Sequence, residues 1–194
     1  PTTTSLTSSA NPAYLGKPVT FNAIVTPTGG TTPTGTITFK DGASTLTTVS
    51  LSGGKASYTT SSLSSGSHSI TAVYSGDGNN LTSTSNTVTQ VINMANTTTT
   101  LLSSINPSYA GQSVTFTAVV VSPGAAPTGT VTFYDNSIPL GSAVSLGANG
   151  RATYTTSSLS IATHPITASY SGDVNNNSSS SGMVSQQVII APTT

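Results

Sequence analysis

The residues whose side chains could do chemistry are few, and they recur in pairs. His68 and His164 are the two histidines, and the acids are Asp41, Asp77, Asp135 and Asp173, with no Glu and no Cys. A histidine near an aspartate and many hydroxyls raises the question of a Ser-His-Asp relay. His68 and Asp77 do not fit one. The six residue steps from His68 to Tyr74 read as a strand that spans ~20 Å, which puts the two groups at opposite ends of it. Asp77-Gly78-Asn79-Asn80 and Asp173-Val174-Asn175-Asn176 look like pieces of a calcium loop. Calcium takes six to eight oxygens, usually with two or more carboxylates, and each stretch offers one. An Asp that accepts the backbone N–H groups of its own turn is the expected role, with Asp41 and Asp135 in a separate turn. Without cysteine there is no disulfide, thiolate metal site or thiol nucleophile. No catalytic, cofactor-binding or metal-ligating residue is assigned, and no cofactor is expected.

The elements that must carry these residues are legible from an internal repeat. His68-Ser69-Ile70-Thr71-Ala72-Val73-Tyr74-Ser75-Gly76-Asp77 returns as His164-Pro165-Ile166-Thr167-Ala168-Ser169-Tyr170-Ser171-Gly172-Asp173. Asn11-Pro12 returns as Asn106-Pro107, and Gly16-Lys17-Pro18-Val19-Thr20-Phe21 as Gly111-Gln112-Ser113-Val114-Thr115-Phe116. Pro33-Thr34-Gly35-Thr36-Ile37-Thr38-Phe39 returns as Pro127-Thr128-Gly129-Thr130-Val131-Thr132-Phe133. The period is about 95 residues, which sets two copies, 1–93 and 94–194, joined by the short link Asn93-Met94-Ala95-Asn96 and expected to sit end to end.

Apolar residues alternate with hydroxylic ones in short runs, the pattern of strands with one buried and one wet face. Seven strands are expected in the first copy: Thr2 to Ser8, Val19 to Thr26, Thr36 to Lys40, Thr45 to Leu51, Lys55 to Ser61, His68 to Tyr74 and Ser85 to Ile92. Thr45–Leu51 and Lys55–Ser61 are expected to form a hairpin about Gly53-Gly54, and Asp41-Gly42 to make a turn. Seven short strands with turns every 8–12 residues read as a β-sandwich. Within such a sandwich His68 and His164 stand close to where a corner tyrosine bonds nearby backbone, a job an imidazole N–H can do. Gln90 and Gln186 share the buried parity of the last strand, so each needs hydrogen-bond partners or a bulge.

Composition narrows the function class. Only 4% of residues are charged and the formal net charge is zero. There is no electrostatic footprint for nucleic acid. No apolar run reaches the ~18 residues a membrane helix needs. Ser and Thr make up roughly a third of the chain, far above ordinary usage. Lys17, Lys40 and Lys55 become Gln112, Tyr134 and Arg151 in the second copy, which argues against a lysine cross-link built into the module. Threonine rows such as Thr36-x-Thr38 are ordinary wet-face residues. Asn80, Asn96, Asn176 and Asn177 begin Asn-x-Ser/Thr sequons and are surface-loop candidates. The opening Pro1 indicates a processed, engineered or excerpted start. The closing Ala191-Pro192-Thr193-Thr194 repeats the start of the next copy, the expectation being a longer covalent array, with a fibre of protomers docked head to tail as the alternative.

The combination of Asn-Pro, Gly-x-x-Val-x-Phe, Pro-Thr-Gly-x-Val/Ile-x-Phe and His-x-Ile-x-Ala-x-Tyr-x-Gly-Asp resembles the bacterial immunoglobulin-like repeat modules of large secreted and cell-surface proteins. The resemblance covers nearly the whole chain, twice. It implies an all-β fold, two tandem immunoglobulin-like Greek-key sandwiches of about seven strands each, and no enzyme activity. Such modules often carry an aromatic residue a few positions after Gly-Asp. Asn79-Asn80-Leu81 and Asn175-Asn176-Asn177 stand there instead, so a more loosely packed loop is expected. The expected function is a structural spacer of an extracellular or cell-surface bacterial protein, whose partners are further copies of the same repeat, end to end. The rival is an adhesive module that engages a glycan or protein through loops or a strand edge. Neither nucleic acid nor membrane insertion is expected.

Overall fold

The structure, a computed structural model, describes residues 1–192. The chain divides into two compact units, Pro1–Asn93 and Met94–Thr194. The first unit runs β1 (Thr2–Ser8), β2 (Ala13–Tyr14), β3 (Val19–Pro27), β4 (Thr36–Asp41), β5 (Ser44–Ser50), β6 (Lys55–Thr60), β7 (Gly66–Tyr74), β8 (Ser83–Thr84) and β9 (Val88–Asn93). One sheet has the order β1-β3-β6, the other β2-β9-β7-β4-β5, with β8 on β7. All pairings are antiparallel except β2 with β9, which is parallel.

Strand parity sets the core. Val19, Phe21, Ala23 and Val25 of β3 are buried, as are Ile37 and Phe39 of β4 and Ile70, Ala72 and Tyr74 of β7. These inner faces meet between the sheets, where Phe39 and Tyr58 lie 5.8 Å apart centroid to centroid. Each fully buried large apolar side chain contributes roughly 1.5–3 kcal/mol relative to exposure. Hydroxyls on the outer face pair across strands, as Thr20 with Thr59 at 2.8 Å and Thr38 with Thr48 at 3.1 Å.

The expected hairpin between Thr45–Leu51 and Lys55–Ser61 does not form. β5 belongs to the sheet of β4 and β6 to the sheet of β3, and a single bridge, Ser52 to Lys55, joins their ends. The turn is nonetheless at Gly53-Gly54, where both residues have positive φ, at 57° and 73°. It carries the chain from one sheet to the other. Gly54 sits against β3, whose Val25 N–H donates to its carbonyl, so β6 is drawn to β3 rather than folded back on β5. The expected last strand, Ser85 to Ile92, starts later than expected: β8 ends at Thr84 and β9 begins at Val88. Between them the Asn86 amide leaves the ladder and serves the outer edge of β1. It accepts from Leu6 N at 3.0 Å and donates to Leu6 O at 3.2 Å.

The second unit repeats the plan with β10 (Thr98–Ser103), β11 (Ser108–Tyr109), β12 (Val114–Val121), β13 (Thr130–Asp135), β14 (Ile138–Pro139), β15 (Val144–Ser145), β16 (Arg151–Thr156), β17 (Thr163–Tyr170), β18 (Ser179–Ser180) and β19 (Val184–Ile189). Its sheets are β10-β12-β16 and β11-β19-β17-β13-β14, with β15 on β13 and β18 on β17. The strand that is continuous as β5 is here two fragments, β14 and β15. Pro139 cannot donate to a ladder. Leu140 O accepts the Tyr154 hydroxyl at 2.6 Å, which ties the gap to the facing sheet.

The two buried glutamines are satisfied by partners, with no bulge in β9. Gln90 Oε1 accepts from Ser8 Oγ at 2.6 Å, and its Nε2 donates to Ala10 O at 2.9 Å and Val91 O at 3.1 Å. Gln186 repeats this with Ser103, Ile105 and Gln187. The Asn of each Asn-Pro pair, whose peptide bond is cis, extends the same device. Asn11 Nδ2 donates to Thr89 O at 2.7 Å and Asn11 Oδ1 accepts from Val91 N at 3.0 Å.

Candidate functional site

Two polar clusters in each unit hold the residues with chemical potential. The first is at the start of β7. His68 Nδ1 lies 2.6 Å from Asp41 Oδ2, and Nε2 lies 2.9 Å from the carbonyl of Ser64, four residues upstream. Asp41 Oδ1 accepts from Ser69 N at 3.1 Å. The register explains the meeting: Asp41, the last residue of β4, stands opposite Ile70 of β7. His164 repeats the arrangement with Asp135 at 2.6 Å and Ser160 O at 2.9 Å. The backbone bond is the corner role expected of the histidine. The pairing with Asp41 and Asp135 was not legible, because it depends on which strands are neighbours.

A carbonyl and a carboxylate can only accept, so the form of the ring that satisfies both is the imidazolium, which donates from both nitrogens. Burial works against that charge, but the bonds to Asp41 and Ser64 outweigh it and raise the pKa of His68 above its ordinary value. The same balance, with Ser160 and Asp135, raises that of His164. A ring that donates from both nitrogens has no lone pair free to take a proton from a nucleophile.

The second cluster joins two sequence motifs. Asp77 Oδ2 accepts from Thr34 N at 2.7 Å, Thr34 Oγ1 at 2.9 Å and the Tyr74 hydroxyl at 3.1 Å. Its Oδ1 accepts from Asn79 N and Asn80 N, each at 2.8 Å, and the Asn80 amide forks across both oxygens at 3.1 Å. Asp173 has the same six donor groups in Thr128, Tyr170, Asn175 and Asn176. Pro-Thr-Gly is therefore one half of the cluster and Tyr-Ser-Gly-Asp the other. Gly35, at φ 90°, lies so close that a Cβ there would stand 2.7 Å from Gly76 O, and Gly129 repeats this against Gly172. The bonds from the Thr34 and Asn79 amides hold Asp77 well below the usual carboxylate range. Asp173 loses some of that effect to burial and still ends well below it. Burial, together with the neighbouring Asp173, pushes the Tyr170 phenol up to about 12.

Several expectations change here. The loop after Gly-Asp is tied by this network rather than loosely packed, because Asn80 and Asn176 supply in hydrogen bonds what an aromatic residue would supply in area. Both are buried, at 5% and 0% exposure, so these two sequon asparagines are not surface positions. Asn96 is exposed. Thr34 and Thr128 went unrecognised as cluster members, although their repetition in both copies marks them. Among the described residues no three metal-ligating side chains come together.

A family model described as bacterial Ig-like domain (group 3) matches residues 6–93 and again 100–189. The chain belongs to that family. Its two units are tandem bacterial Ig-like domains, and the all-β sandwich agrees with this. Among solved structures, the domains are similar to the fibronectin(III)-like modules of Clostridium thermocellum CbhA, with 16% identity, 95% of this chain and 93% of that one covered, and a TM-score of 0.38. They are also similar to the D0-D1 domain of intimin, with 20% identity, 96% and 100% coverage, and a TM-score of 0.37. The Yersinia pseudotuberculosis adhesin InvE matches with 17% identity, 93% and 58% coverage, and a TM-score of 0.33. No curated protein matches the chain.

Proposed function

We propose that these two Ig-like domains serve as a tension-carrying spacer, without catalytic activity, in a secreted or cell-surface bacterial protein. The observation that supports this most is the parallel pairing, in each domain, of the short second strand with the last strand. Ala13 and Tyr14 of β2 run alongside Ile92 and Asn93 of β9, and Leu15 N donates to Asn93 O at 2.9 Å. Ser108 and Tyr109 of β11 run alongside Val188 and Ile189 of β19, and Ala110 N donates to Ile189 O at 2.9 Å. Ladder bonds lie across the strands, so pulling along a parallel pair loads them together in shear instead of one after another. The engaged imidazoles and saturated aspartates support the absence of catalysis.

Single-molecule pulling on the full chain tests the reading. Two discrete unfolding events are expected, each releasing about 30 nm of chain from a domain of this size. Leu15→Pro, which removes the N–H that bonds Asn93, is expected to lower the force of one event and leave the other. Extension at low force without discrete events would refute the proposal. An adhesive role has one observation in its favour: a cleft of about 550 Å³ in the first domain, lined by Ile24, Val49, Lys55 and Ala56 at the open side between β5 and β6. Retained adhesion after Ile24→Asp would count against it.

A further inference from the structure

The loop after Gly-Asp has the same internal bonds in both domains but differs in what covers it. In the second domain Ala95 lies along it. Ala95 N donates to Asn175 O at 2.9 Å, Asn177 N donates to Ala95 O at 2.9 Å, and Ala95 forms a parallel bridge with Asn176. The Ala95 side chain is fully buried. In the first domain the matching groups are Asn79 O and Leu81 N, and among the described residues neither has a backbone partner of this kind. Asn79 and Leu81 are exposed, whereas Asn175 and Asn177 are partly covered.

The slot is already formed in the first domain. Asp77 N donates to Asn80 O at 2.9 Å, as Asp173 N does to Asn176 O. Thr2 Oγ1 donates to Leu81 O at 2.8 Å, as Thr97 Oγ1 does to Asn177 O. Thr2 and Thr4 share Ser83 as Thr97 and Thr99 share Ser179. Pro1 is pinned as well, because its carbonyl accepts from Thr28 N at 3.0 Å and Thr28 Oγ1 at 2.8 Å. By this correspondence Pro1 stands where Asn96 stands, and a residue joined to the Pro1 nitrogen would fall in the slot. A residue before proline is held to extended backbone, the conformation that a bridge needs. Ile190-Ala191-Pro192 has the place in the second copy that Met94-Ala95-Asn96 has in the first, so the repeat itself provides an alanine before a proline.

We propose that the Asp77–Leu81 loop of the first domain is a docking slot for an extended Ile-Ala segment joined to Pro1, the tail of a further repeat of this kind. The proposal rests on loop geometry and not on the tension-carrying reading. A side chain larger than alanine does not fit, because the matching Ala95 is enclosed on all sides.

Amide hydrogen exchange by NMR on the whole chain tests it. Without an extension, the Leu81 amide should exchange fast and the Asn177 amide slowly. With Ile-Ala added before Pro1, Leu81 exchange should slow by about tenfold, the factor that matches one net hydrogen bond. The first domain should also melt higher while the second is unchanged. With Ile-Trp added, no slowing is expected. Three results would overturn the proposal: Leu81 still fast after Ile-Ala, equal slowing by Ile-Trp, or concentration-dependent protection of Leu81 in the unextended chain. The last would make the occupant a second copy.

Discussion

Replacing each buried glutamine by leucine should cost the second domain more than the first, although the glutamines occupy the same place. Gln90→Leu removes the bonds to Ser8, Ala10 and Val91. Ser8 Oγ keeps a fallback acceptor in Ala10 O at 3.1 Å, and the position behind the amide is Ala13, which asks for nothing. With net hydrogen bonds worth ~1 kcal/mol each and some return from burying leucine, the expected cost is about 1–2 kcal/mol. In the second domain Ser108 takes the place of Ala13. It is 2% exposed, and Gln186 Nε2 is its side-chain partner, at a long 3.3 Å. Gln186→Leu strands that hydroxyl, and a buried unpaired polar group adds roughly 1–3 kcal/mol. The leucine transfer contribution is common to both and cancels in the difference. Native-state exchange of the Ile70 and Ile166 amides reads each domain within the intact chain. Protection of Ile166 should fall by roughly tenfold more than that of Ile70, since 1.4 kcal/mol is a factor of ten. Ser108→Ala in the Gln186→Leu background should recover most of that excess. Equal losses in the two domains, or no recovery, would refute the reasoning.

Four further outcomes are expected. The histidine pKa values are raised by folding, so their stabilisation is fully present below about pH 6.5 and is lost as pH rises through the folded values; urea midpoints should fall from pH 6 towards pH 9, and His68→Gln with His164→Gln should flatten that slope. Asp77 and Asp173 are shifted the other way, so their contribution is present above about pH 4 and is lost only as pH falls through their depressed values, which circular dichroism during acid titration reads. Tyr74→Ala and Tyr170→Ala should each cost ~3 kcal/mol or more, as losses of fully buried rings, and Tyr74→Phe, which removes only the hydroxyl bond to Asp77, should cost less, about 1–2 kcal/mol, in the same chemical denaturation. A chelator should leave both melting transitions in place, because each clustered aspartate is already bonded by protein donors.

Strand parity was the part of the fold most open to reading, because alternation records burial directly. β1 and the inward residues of β3, β4 and β7 follow from it. Sheet membership was less open. Val49 and Leu51, like Ala56 and Tyr58, alternate equally well whether β5 and β6 are hairpin partners or face each other across the core, and Gly53-Gly54 permits either path. The choice comes from β3, whose other edge is free to take β6. The same limit hid the His68–Asp41 pair, whose members are 27 residues apart and meet only because β4 and β7 are neighbours. The role of Asn86 was hidden for another reason. Gly182 occupies its place in the second copy, so the repeat gave no hint that this amide serves β1.

Divergence between the copies separates what the fold requires from what it tolerates. The strand after the Asp41 turn is whole in one domain and split by Pro139 and Gly141 in the other, and the buried core exchanges Ile37 for Val131 and Ile92 for Val188. The cluster around Asp77 and Asp173 keeps every donor, and its distances agree to within 0.1 Å. A sandwich core accepts volume-conserving swaps cheaply. A carboxylate with six donor groups around it does not, since losing any one leaves a charged group less satisfied. In a chain with four acids, all four are spent on the fold, two pairing with histidines and two tying the loop to the Pro-Thr-Gly strand. What is left for the surface is hydroxyls, amides, scattered apolar side chains such as Leu102, Ile138 and Val174, and four basic residues. Association between such surfaces gains little from charge steering. Under the docking proposal, backbone hydrogen bonds like those Ala95 makes to the Asn175–Asn177 loop would supply the direction that charge does not.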